Sequence, residues 1–377
     1  MKTYEEINEK ISKGEAVVVT AEEIIDIVEE IGIEKTAEYV DVVTTATFGP
    51  MCSSGAFLNF GHSNPPIRMQ KTYLNGVEAY SGLAAVDSYI GASQESKNKK
   101  YGGAHVIHDL ISGKKIHLEA TSNGTDCYPK KHVDTYITKE DINEAYLFNP
   151  RNVYQNYNAA TNASDKKIYT YMGTLRPNMG NINYSTTGEL SPLLNDPYYK
   201  TIGIGTKIFL AGTQGYVSWM GTQFNSSAER NERGVPITPA GTLAVIGDLK
   251  KMNKEYIQPV IFKNYGISMF IGIGIPIPIL NEEILKYTTI KNEEIQTNII
   301  DYSSGKKIKK VNYKQLQSGM VKINGKEVRT ASISNLKKAR KIANELKDEI
   351  KNGNFLLTKP LEVFPLDKKV KKMKEDD

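Results

Sequence analysis

The spacing of hydrophobic residues near the N-terminus predicts an amphipathic helix. Thr20 and Glu23 have the spacing of a capping box, and an apolar stripe follows them and ends at Gly32. The stripe consists of Ile24, Ile27, Val28 and Ile31. A second short helix, from Glu34 to Tyr39, leads into the strand-like segment YVDVVTTATF, which places Cys52 just beyond its end. Loops at the ends of rigid strands often hold catalytic groups.

From about Tyr73 to Leu280, short β-type runs separated by Gly, Asn, Pro and Ser dominate the pattern. These runs are HVIHDLI, KKIHLEA, KIYTYMG, TKIFLAG, GYVSWMG, TLAVIGDL and PVIFKNYGISMFIGIGI. Two glycine-rich stretches fail the dinucleotide fingerprint. In TIGIGTKIF, Ile208 occupies the third glycine position, and FIGIGIPIPIL runs into prolines. Both are better interpreted as buried strands with close backbone packing.

A long amphipathic helix is predicted near the C-terminus, from about Asn335 to Asn352, with Gly353 as its stop. Its apolar face comprises Leu336, Ala339, Ile342, Ala343, Leu346 and Ile350. The predicted fold class is therefore α+β, a mixed fold with a β-rich centre flanked by N-terminal and C-terminal helices. We expect one catalytic domain over 1–330, helical in 1–40 and β-rich in 41–330. The C-terminal helix and lysine-rich tail, 331–377, are expected to pack on the same domain.

Composition and charge narrow the class of protein. Hydrophobic residues at 40% and charged residues at 24% are ordinary for a globular protein, and the net charge of +5 falls largely in the last third. Elsewhere acids and bases alternate, which argues against a nucleic-acid partner. Apolar runs stay below the roughly 18 residues of a membrane helix, and the N-terminus lacks the apolar core of a signal peptide. We expect a cytoplasmic protein with reduced thiols.

The chain has two cysteines among 377 residues, and both lie in loop-like segments. Cys52 lies in FGPMCSSGAF, and Cys127 lies in SNGTDCYPKKH, followed by Lys130, Lys131 and His132. Nearby cations favour the thiolate, which is the reactive form of cysteine. Two other interpretations stay open: both cysteines are incidental small residues on turns, or one belongs to a protease-like Cys–His pair.

A metal site is another possibility, because His105 and His108 have H-x-x-H spacing and Cys127 with His132 could add ligands. However, the segment GGAHVIHDL is interpreted as a strand, in which residues three apart point to opposite faces. An iron–sulfur cluster takes about four cysteine ligands, more than this chain offers. We predict no metal and no cofactor bound by this chain alone.

Several blocks of sequence resemble a known family over nearly the whole chain, from about Glu5 to Pro365. The blocks are FGPMCSSGAFLNFGHSNPPI, AAVDSYIGASQ, YGGAHVIHDLISGK, GTDCYPKK, NPRNVYQNYN, SPLLNDPYY, TIGIGTKIFLAG, PAGTLAVIGDLK and GIGIPIPIL. They are similar to the homocysteine-biosynthesis family, the L-aspartate-semialdehyde sulfurtransferases of methanogenic archaea and some anaerobic bacteria. The family is associated with homocysteine formation from aspartate semialdehyde and sulfide-derived sulfur, together with a partner that carries ferredoxin-type clusters.

The resemblance also implies roles for the two thiols. Cys127 matches the sulfur-carrying cysteine of the family, and Cys52 matches a second, supporting thiol. Some members continue into paired regulatory domains that bind adenosyl compounds, and we expect this chain to be without them. The resemblance leaves a homo-oligomer open.

Conversion of an aldehyde and sulfide into a thiol is a two-electron reduction with loss of water. The chain shows no nicotinamide fingerprint, so we expect electrons from [4Fe-4S] clusters on a ferredoxin-type partner. Our hypothesis begins with a persulfide on Cys127, stabilised by Lys130 or its neighbouring cations, that attacks the aldehyde. His132 or His105 would be the general acid. Cys52 would resolve the adduct through a transient disulfide, which needs Cα atoms within about 7 Å.

The substrate carries a carboxylate and an ammonium group, which call for an arginine fork and an acid. Arg151 is the first choice for the carboxylate, before Arg176 and Arg68, and Asp126 or Asp87 is expected to hold the ammonium. His62 is expected to orient the Cys52 loop or to cap a turn. Two other functions stay open: a non-catalytic persulfide carrier that serves as a scaffold for another enzyme, and a cysteine-dependent aldehyde dehydrogenase.

Overall fold

The computed structural model describes residues 1–375, and the last two residues of the predicted lysine-rich tail lie outside the described residues. The helices are α1 (Tyr4–Lys13), α2 (Glu23–Ile31), α3 (Ile33–Tyr39), α4 (Gly103–Ile111), α5 (Pro192–Asn195), α6 (Glu282–Thr288), α7 (Tyr313–Gln317) and α8 (Leu336–Lys351). Short 3₁₀ turns lie at Lys139–Asp141, Gly188–Leu190, Leu249–Lys251 and Lys254–Tyr256. Among the described residues, we find no helix with the length and apolar character needed to span a membrane.

The strands of the first half of the chain are β1 (Val18–Thr20), β2 (Val42–Pro50), β3 (Gly55–Asn59), β4 (Lys71–Leu74), β5 (Val77–Ala79), β6 (Asp87–Gly91), β7 (Ile116–Thr121), β8 (His132–Ile137), β9 (Glu144–Asn152), β10 (Ala159–Thr161), β11 (Ile168–Thr170), β12 (Gly173–Leu175) and β13 (Ile182–Tyr184). Those of the second half are β14 (Lys207–Leu210), β15 (Thr213–Met220), β16 (Leu243–Asp248), β17 (Ile257–Phe262), β18 (Gly266–Pro278), β19 (Gln296–Asp301), β20 (Lys307–Asn312), β21 (Met320–Ile323) and β22 (Lys326–Ser332).

These elements confirm the predicted mixed α+β class. The main sheet has ten strands in the order β1-β2-β18-β14-β15-β16-β9-β3-β6, with β17 paired to β18. β1 and β2 run parallel, and the other neighbours in this sheet are antiparallel. A six-stranded sheet, β20-β19-β10-β13-β22-β21, has its own apolar core. A four-stranded sheet, β5-β4-β7-β8, and the hairpin β11–β12 complete the fold.

The helical patterns at both ends of the chain are confirmed. The backbone N–H of Thr20 donates to Glu23 Oε2 at 2.7 Å, and the N–H of Glu23 donates to Thr20 Oγ1 at 3.2 Å. This reciprocal pair is the predicted capping box, and α2 ends at Gly32. Five of the six residues of the predicted apolar face of α8 are buried, namely Ala339, Ile342, Ala343, Leu346 and Ile350.

The glycines of β18 allow α8 to pack closely against the main sheet. A Cβ atom at Gly272 would lie 2.7 Å from Ile342 Cδ1, and one at Gly274 would lie 3.1 Å from Leu346 Cδ2. Both distances are shorter than ordinary van der Waals contact, so a side chain would push the helix away. The interpretation of FIGIGIPIPIL as a buried strand with close backbone packing is therefore confirmed.

The strand predicted for HVIHDLI is wrong, because residues 103–111 form helix α4. This helix begins against β6, where a Cβ atom at Gly103 would lie 1.8 Å from the carbonyl oxygen of Gly91. Its first turn is closed by the N–H of Gly102, which donates to His105 Nδ1 at 3.2 Å. A short apolar run fits a strand or a buried helix equally well, and here contacts distant in sequence decide.

We predict that Gly272→Ala lowers the free energy of unfolding by about 1–3 kcal/mol, because overpacking a tight contact has effects of this size. The added methyl group would collide with Ile342 and with Tyr256, whose Cβ lies 3.1 Å away. The matched control is Gly91→Ala in β6, where the nearest atom to a new Cβ is 3.9 Å away. Urea denaturation followed by circular dichroism measures both variants. Equal stability of the two would contradict this packing argument.

Candidate active site

Cys52 lines a cavity of about 500 Å³ that lies between the ten-stranded and six-stranded sheets. Cys52 comes from the β2–β3 turn, and Arg151 comes from the end of β9. Tyr171, from the β11–β12 hairpin, and Ser185, which follows β13, contribute the opposite wall. Tyr265, from the β17–β18 turn, closes one side. The cavity therefore combines a thiol, a guanidinium group and several hydroxyl groups.

The turn that carries Cys52 is fixed by the buried side chain of Asn149. Its Oδ1 accepts hydrogen bonds from Ser53 Oγ at 3.1 Å and from the N–H of Arg151 at 3.0 Å. Its Nδ2 donates to Ser54 Oγ at 2.9 Å, and Ser54 Oγ donates to the carbonyl of Met51. One amide thus ties both sides of Cys52 to the strand that carries Arg151. Because Asn149 is buried and hydrogen-bonded on both its oxygen and its nitrogen, it holds the Cys52 turn against the end of β9.

Five tyrosines form a connected group along the cavity: Tyr154, Tyr157, Tyr171, Tyr265 and Tyr302. The hydroxyl of Tyr171 lies 3.0 Å from that of Tyr157 and 3.1 Å from that of Tyr302. Burial raises the pKa of Tyr154, Tyr157, Tyr265 and Tyr302. These four hydroxyls are therefore protonated at neutral pH and can donate hydrogen bonds to a developing negative charge.

Tyr265 and Tyr154 line the same cavity as Cys52 and Arg151. Burial is the main cause that raises the pKa of Tyr265, and the charge of Cys52 acts in the same direction. Burial also raises the pKa of Tyr154, although the charge of Arg151 acts in the opposite direction. The two phenols therefore share the electrostatic environment of the thiol and the guanidinium group.

Three residues around the cavity have a left-handed backbone that is unusual for their types. Val153 has φ 51°, Thr186 has φ 69° and Gln223 has φ 64°. Positive φ is a genuine outlier for β-branched residues such as Val153 and Thr186. Val153 directly follows the end of β9 and precedes Tyr154, while Thr186 follows Ser185. Strain of this kind is typical of functional sites, where the surrounding structure holds it in place.

Cys127 lies elsewhere, in the exposed loop between β7 and β8. Its sulfur is 3.6 Å from Thr125 Oγ1. Backbone hydrogen bonds between Thr125 and Tyr128, at 2.9 and 3.1 Å, close the turn around the cysteine. The N–H of Lys130 donates to the carbonyl of Pro66, which ties the loop to the segment that follows β3. Cys127 is thus an accessible thiol on a well-defined turn.

The structure does not bring the two thiols together. Cys52 precedes β3, whereas the loop of Cys127 packs at the other end of this strand, where His62 stacks on Tyr128 with ring centroids 6.1 Å apart. β3 alone covers four residue steps, or about 13 Å of extended chain. Cys127 is also not among the residues that line the cavity of Cys52. His62 therefore contacts the Cys127 loop, and not the Cys52 loop that it was expected to orient.

Four other predicted site residues also lie away from the Cys52 cavity. Lys130, His132 and Asp126 lie in or beside the Cys127 loop, where His132 begins β8. Asp87 accepts a hydrogen bond from Asn59 at 2.5 Å, at the far end of β3 from Cys52. These four residues do not line the Cys52 cavity.

The arginines divide between three cavities. Arg151 lines the Cys52 cavity, Arg176 lines a second cavity and Arg68 lines a third. In the Cys52 cavity, Arg151 Nε donates to Thr222 Oγ1 at 3.0 Å, which orients the guanidinium group. Of the three arginines considered from the sequence, Arg151 is therefore the one that the structure places beside a thiol.

Helix α4 changes the argument about a metal site. In a helix, residues three apart lie on the same face, so the argument that His105 and His108 point to opposite faces of a strand was wrong. His105, however, accepts the N–H of Gly102 and stacks on Tyr101, and burial lowers its pKa. Among residues 1–375 there is no group of three or more His, Cys, Asp or Glu side chains arranged to hold a metal ion.

The sequence reasoning missed the tyrosines. The chain has 22 tyrosines but 10 phenylalanines, an excess of hydroxyl-bearing rings that could have been noticed. The segment NPRNVYQNYN contains Tyr154 and Tyr157 as well as Arg151. Tyr171, Tyr265 and Tyr302 come from three distant segments, and no local pattern connects them.

The α+β fold thus holds a free thiol, an arginine and several hydroxyl donors in one cavity. The family model described as "Homocysteine biosynthesis enzyme, sulfur-incorporation" matches residues 16–357, and the chain belongs to this family. The predicted resemblance is therefore confirmed, and the class is an enzyme of homocysteine biosynthesis that incorporates sulfur.

Curated relatives agree with this family. A protein of Methanosarcina acetivorans named L-aspartate semialdehyde sulfurtransferase is 52% identical over 380 residues, covering 99% of this chain and 74% of that protein. A protein of the same name from Methanocaldococcus jannaschii is 52% identical over 385 residues, covering 97% and 73%. An uncharacterized protein of Methanothermobacter thermautotrophicus is 31% identical over 330 residues, covering 84% and 72%. No solved structure matches the chain.

We predict that Tyr265→Phe slows alkylation of Cys52 at neutral pH by about 2- to 10-fold, the range that one net hydrogen bond supports. The reason is that Tyr265 lines the same cavity as Cys52, and its hydroxyl can donate a hydrogen bond to the sulfur as negative charge develops there. The measurement uses iodoacetamide in a Cys127→Ser background, where Cys52 is the single remaining thiol. The control is Tyr146→Phe, an exposed tyrosine of β9 outside this cavity. An unchanged or faster rate for Tyr265→Phe would remove Tyr265 from the site.

Proposed function

We propose that the chain converts L-aspartate 4-semialdehyde into L-homocysteine through a cysteine persulfide, with electrons supplied by an iron–sulfur partner protein. The observation that carries the proposal is the joint placement of Cys52 and Arg151 in one cavity lined by tyrosines. The names of the two relatives at 52% identity support the choice of substrate.

The cavity fits the polar groups of an amino-acid aldehyde. Because Nε of Arg151 is used by Thr222, the terminal nitrogens remain to bind the carboxylate as a fork. No Asp or Glu is found among the lining residues. The ammonium group would therefore be held by hydroxyl and carbonyl oxygens, such as those of Ser185, and not by Asp87 or Asp126. This arrangement directs the aldehyde carbon toward the thiol side of the cavity.

The reaction is balanced as follows: the aldehyde, H₂S, two protons and two electrons give the thiol and one water. A persulfide carries sulfur that is more oxidised, so the route through it consumes four electrons and four protons and also returns the cysteine thiol. The carbonyl oxygen needs a proton to leave as water. Tyr265, Tyr157 and Tyr171 line the cavity and are therefore better placed for this step than His132 or His105, which do not.

The two thiols would have different roles in the reaction. Cys127, exposed and close to Lys130, Lys131 and His132, would receive sulfur as a persulfide from the donor. Cys52, inside the cavity, would resolve the adduct between this sulfur and the substrate. This division requires the Cys127 loop to reach a Cys52 cavity, either by moving within one chain or from a second copy.

Electrons would come from outside the chain. Its two free cysteines are too few for the roughly four thiolates that hold an iron–sulfur cluster. A ferredoxin-type partner with [4Fe-4S] clusters would supply them one at a time and would reduce a disulfide between the two cysteines.

The exposure of Cys127 favours one alternative, a persulfide carrier that passes sulfur to another enzyme. Purified chain, aspartate semialdehyde, polysulfide as the donor of sulfane sulfur and a reduced iron–sulfur protein distinguish the two functions. Homocysteine formation supports the enzyme, and a loaded persulfide without homocysteine supports the carrier.

We predict that Arg151→Gln raises KM for aspartate semialdehyde about 10- to 100-fold, because a hydrogen bond to a charged group contributes about 1.5–3 kcal/mol. The expected effect on kcat is smaller, since the carboxylate is bound equally in the ground state and in the transition state. Steady-state kinetics of homocysteine formation measure both constants. Arg68→Gln, which changes an exposed arginine of another cavity, is the matched control and should retain the original KM. Equal KM values for the two variants would exclude Arg151 as the carboxylate ligand.

We predict different losses for the two cysteine variants. Cys127→Ser should abolish both the persulfide and homocysteine formation, whereas Cys52→Ser should keep the persulfide on Cys127 and lose homocysteine. Mass spectrometry of the Cys127 peptide after treatment with polysulfide, whose sulfane sulfur transfers to a thiol without an added oxidant, detects the added sulfur atom, and the coupled assay measures product. Full activity of Cys127→Ser would overturn its role as the carrier.

A further inference from the structure

A second cavity, of about 550 Å³, is lined by positively charged side chains. It lies between the β11–β12 hairpin, the strands β13 and β22, and the β17–β18 turn. Its cations are Lys167 and Arg176, which flank the β11–β12 hairpin, Lys263 of the β17–β18 turn and Arg329 of β22. The remaining polar lining includes Tyr169, Thr174, Asn181, Asn183 and Thr330. No Asp or Glu is among the lining residues.

These four cations are not used to hold the fold together. Within residues 1–375, none of the ion pairs includes Lys167, Arg176, Lys263 or Arg329. Like charges that converge on one cavity repel each other, and this repulsion is relieved when an anion occupies the cavity. All four residues are exposed, so water and salt screen part of this repulsion, and an anion bound among them would relieve the rest.

The backbone around the cations is held by the two asparagines. Asn181 Oδ1 accepts the N–H of Arg176 at 2.7 Å, and Asn181 Nδ2 donates to the carbonyl of Thr174 at 3.1 Å and to Asn183 Oδ1 at 3.0 Å. Asn183 Nδ2 donates to the carbonyl of Met172 at 2.7 Å. These bonds fix the hairpin on β13, so Arg176 extends from a preorganised support. Preorganisation reduces the entropy lost on binding.

This basic cavity adjoins the Cys52 cavity through two shared segments. Tyr171 and Met172, at the tip of the β11–β12 hairpin, line the Cys52 cavity, while Tyr169 and Thr174 on the same hairpin line the basic cavity. In the β17–β18 turn, Lys263 lines the basic cavity, and Tyr265, two residues later, lines the Cys52 cavity. A ligand in the basic cavity would therefore contact the supports of two tyrosines of the site.

We propose that the basic cavity binds a small ligand that carries two or more anionic groups, either phosphates or carboxylates. Arginine forks match the oxygens of both groups, and lysines add charge without a strict geometry. The volume lies within the usual range of small-molecule sites, roughly 300–1,000 Å³. The proposal is independent of the chemistry assigned to Cys52.

Isothermal titration calorimetry of the full chain in about 0.1 M NaCl tests the proposal, with pyrophosphate in one arm and citrate in the other. We expect one saturable site for at least one probe, and the stronger probe identifies the preferred anionic group. Arg176→Gln combined with Arg329→Gln should weaken binding at least 10-fold. Lys35→Gln combined with Lys97→Gln removes the same charge from exposed positions outside the cavity, and it should leave the affinity unchanged.

A third variant separates this site from the Cys52 cavity. Arg151→Gln removes the guanidinium group of that cavity and should not change the affinity for either probe. Thermal unfolding of each variant verifies that the fold is retained. The proposal is overturned if neither probe shows saturable binding, or if the double arginine variant binds as well as the original chain. It is also overturned if Arg151→Gln alone abolishes binding, because the anion then occupies the Cys52 cavity.

Discussion

The contact between helix α8 and the strand pair β2–β18 is the constraint on which the site depends. Gly272 and Gly274 leave room for Ile342 and Leu346, so the helix lies directly on the strands. Thr44 Oγ1 on β2 also donates to a main-chain carbonyl of α8 at 2.9 Å. β2 ends immediately before Cys52, while β18 begins just after the turn that carries Tyr265. The same packing that forms the core therefore fixes two of the strands that bring a thiol and a phenol together.

Elements whose apolar residues repeat with one clear period could be predicted from the sequence. The stripe of α8 and the capping pair of α2 are local features, and in β18 isoleucine alternates with glycine or proline, a period of two that suits a strand and not a helix. Helix α4 could not be predicted in the same way. Its residues suit a strand as well as a helix, and the decision comes from Gly103 packing on Gly91, a contact invisible to local pattern.

Single site residues could be predicted from the sequence only where their own segment contains the signal. The loop position of Cys52 and the segment around Arg151 both follow from the sequence, and the structure joins them through Asn149. Which segments lie close together in the fold could not be predicted from the sequence. Cys127 has the basic neighbours that are typical of a reactive thiol, yet β3 separates its loop from the cavity. The cluster around Tyr171 is formed by residues from turns that are distant in sequence. Spacing along the chain carries no information about such distances.

Arg151 and Arg176 show how environment separates two residues of one type. Arg151 is oriented by Thr222 and lines one cavity with Cys52 and several tyrosines, so it suits the carboxylate of a small substrate that reacts at its other end. Arg176 faces three further cations and no thiol, so it suits a ligand of higher charge that does not react. The hairpin that carries Tyr171 lies between them and lines both cavities. Because one hairpin lines both cavities, the side chains of Asn181 and Asn183 that hold its backbone support the tyrosines and the cations together.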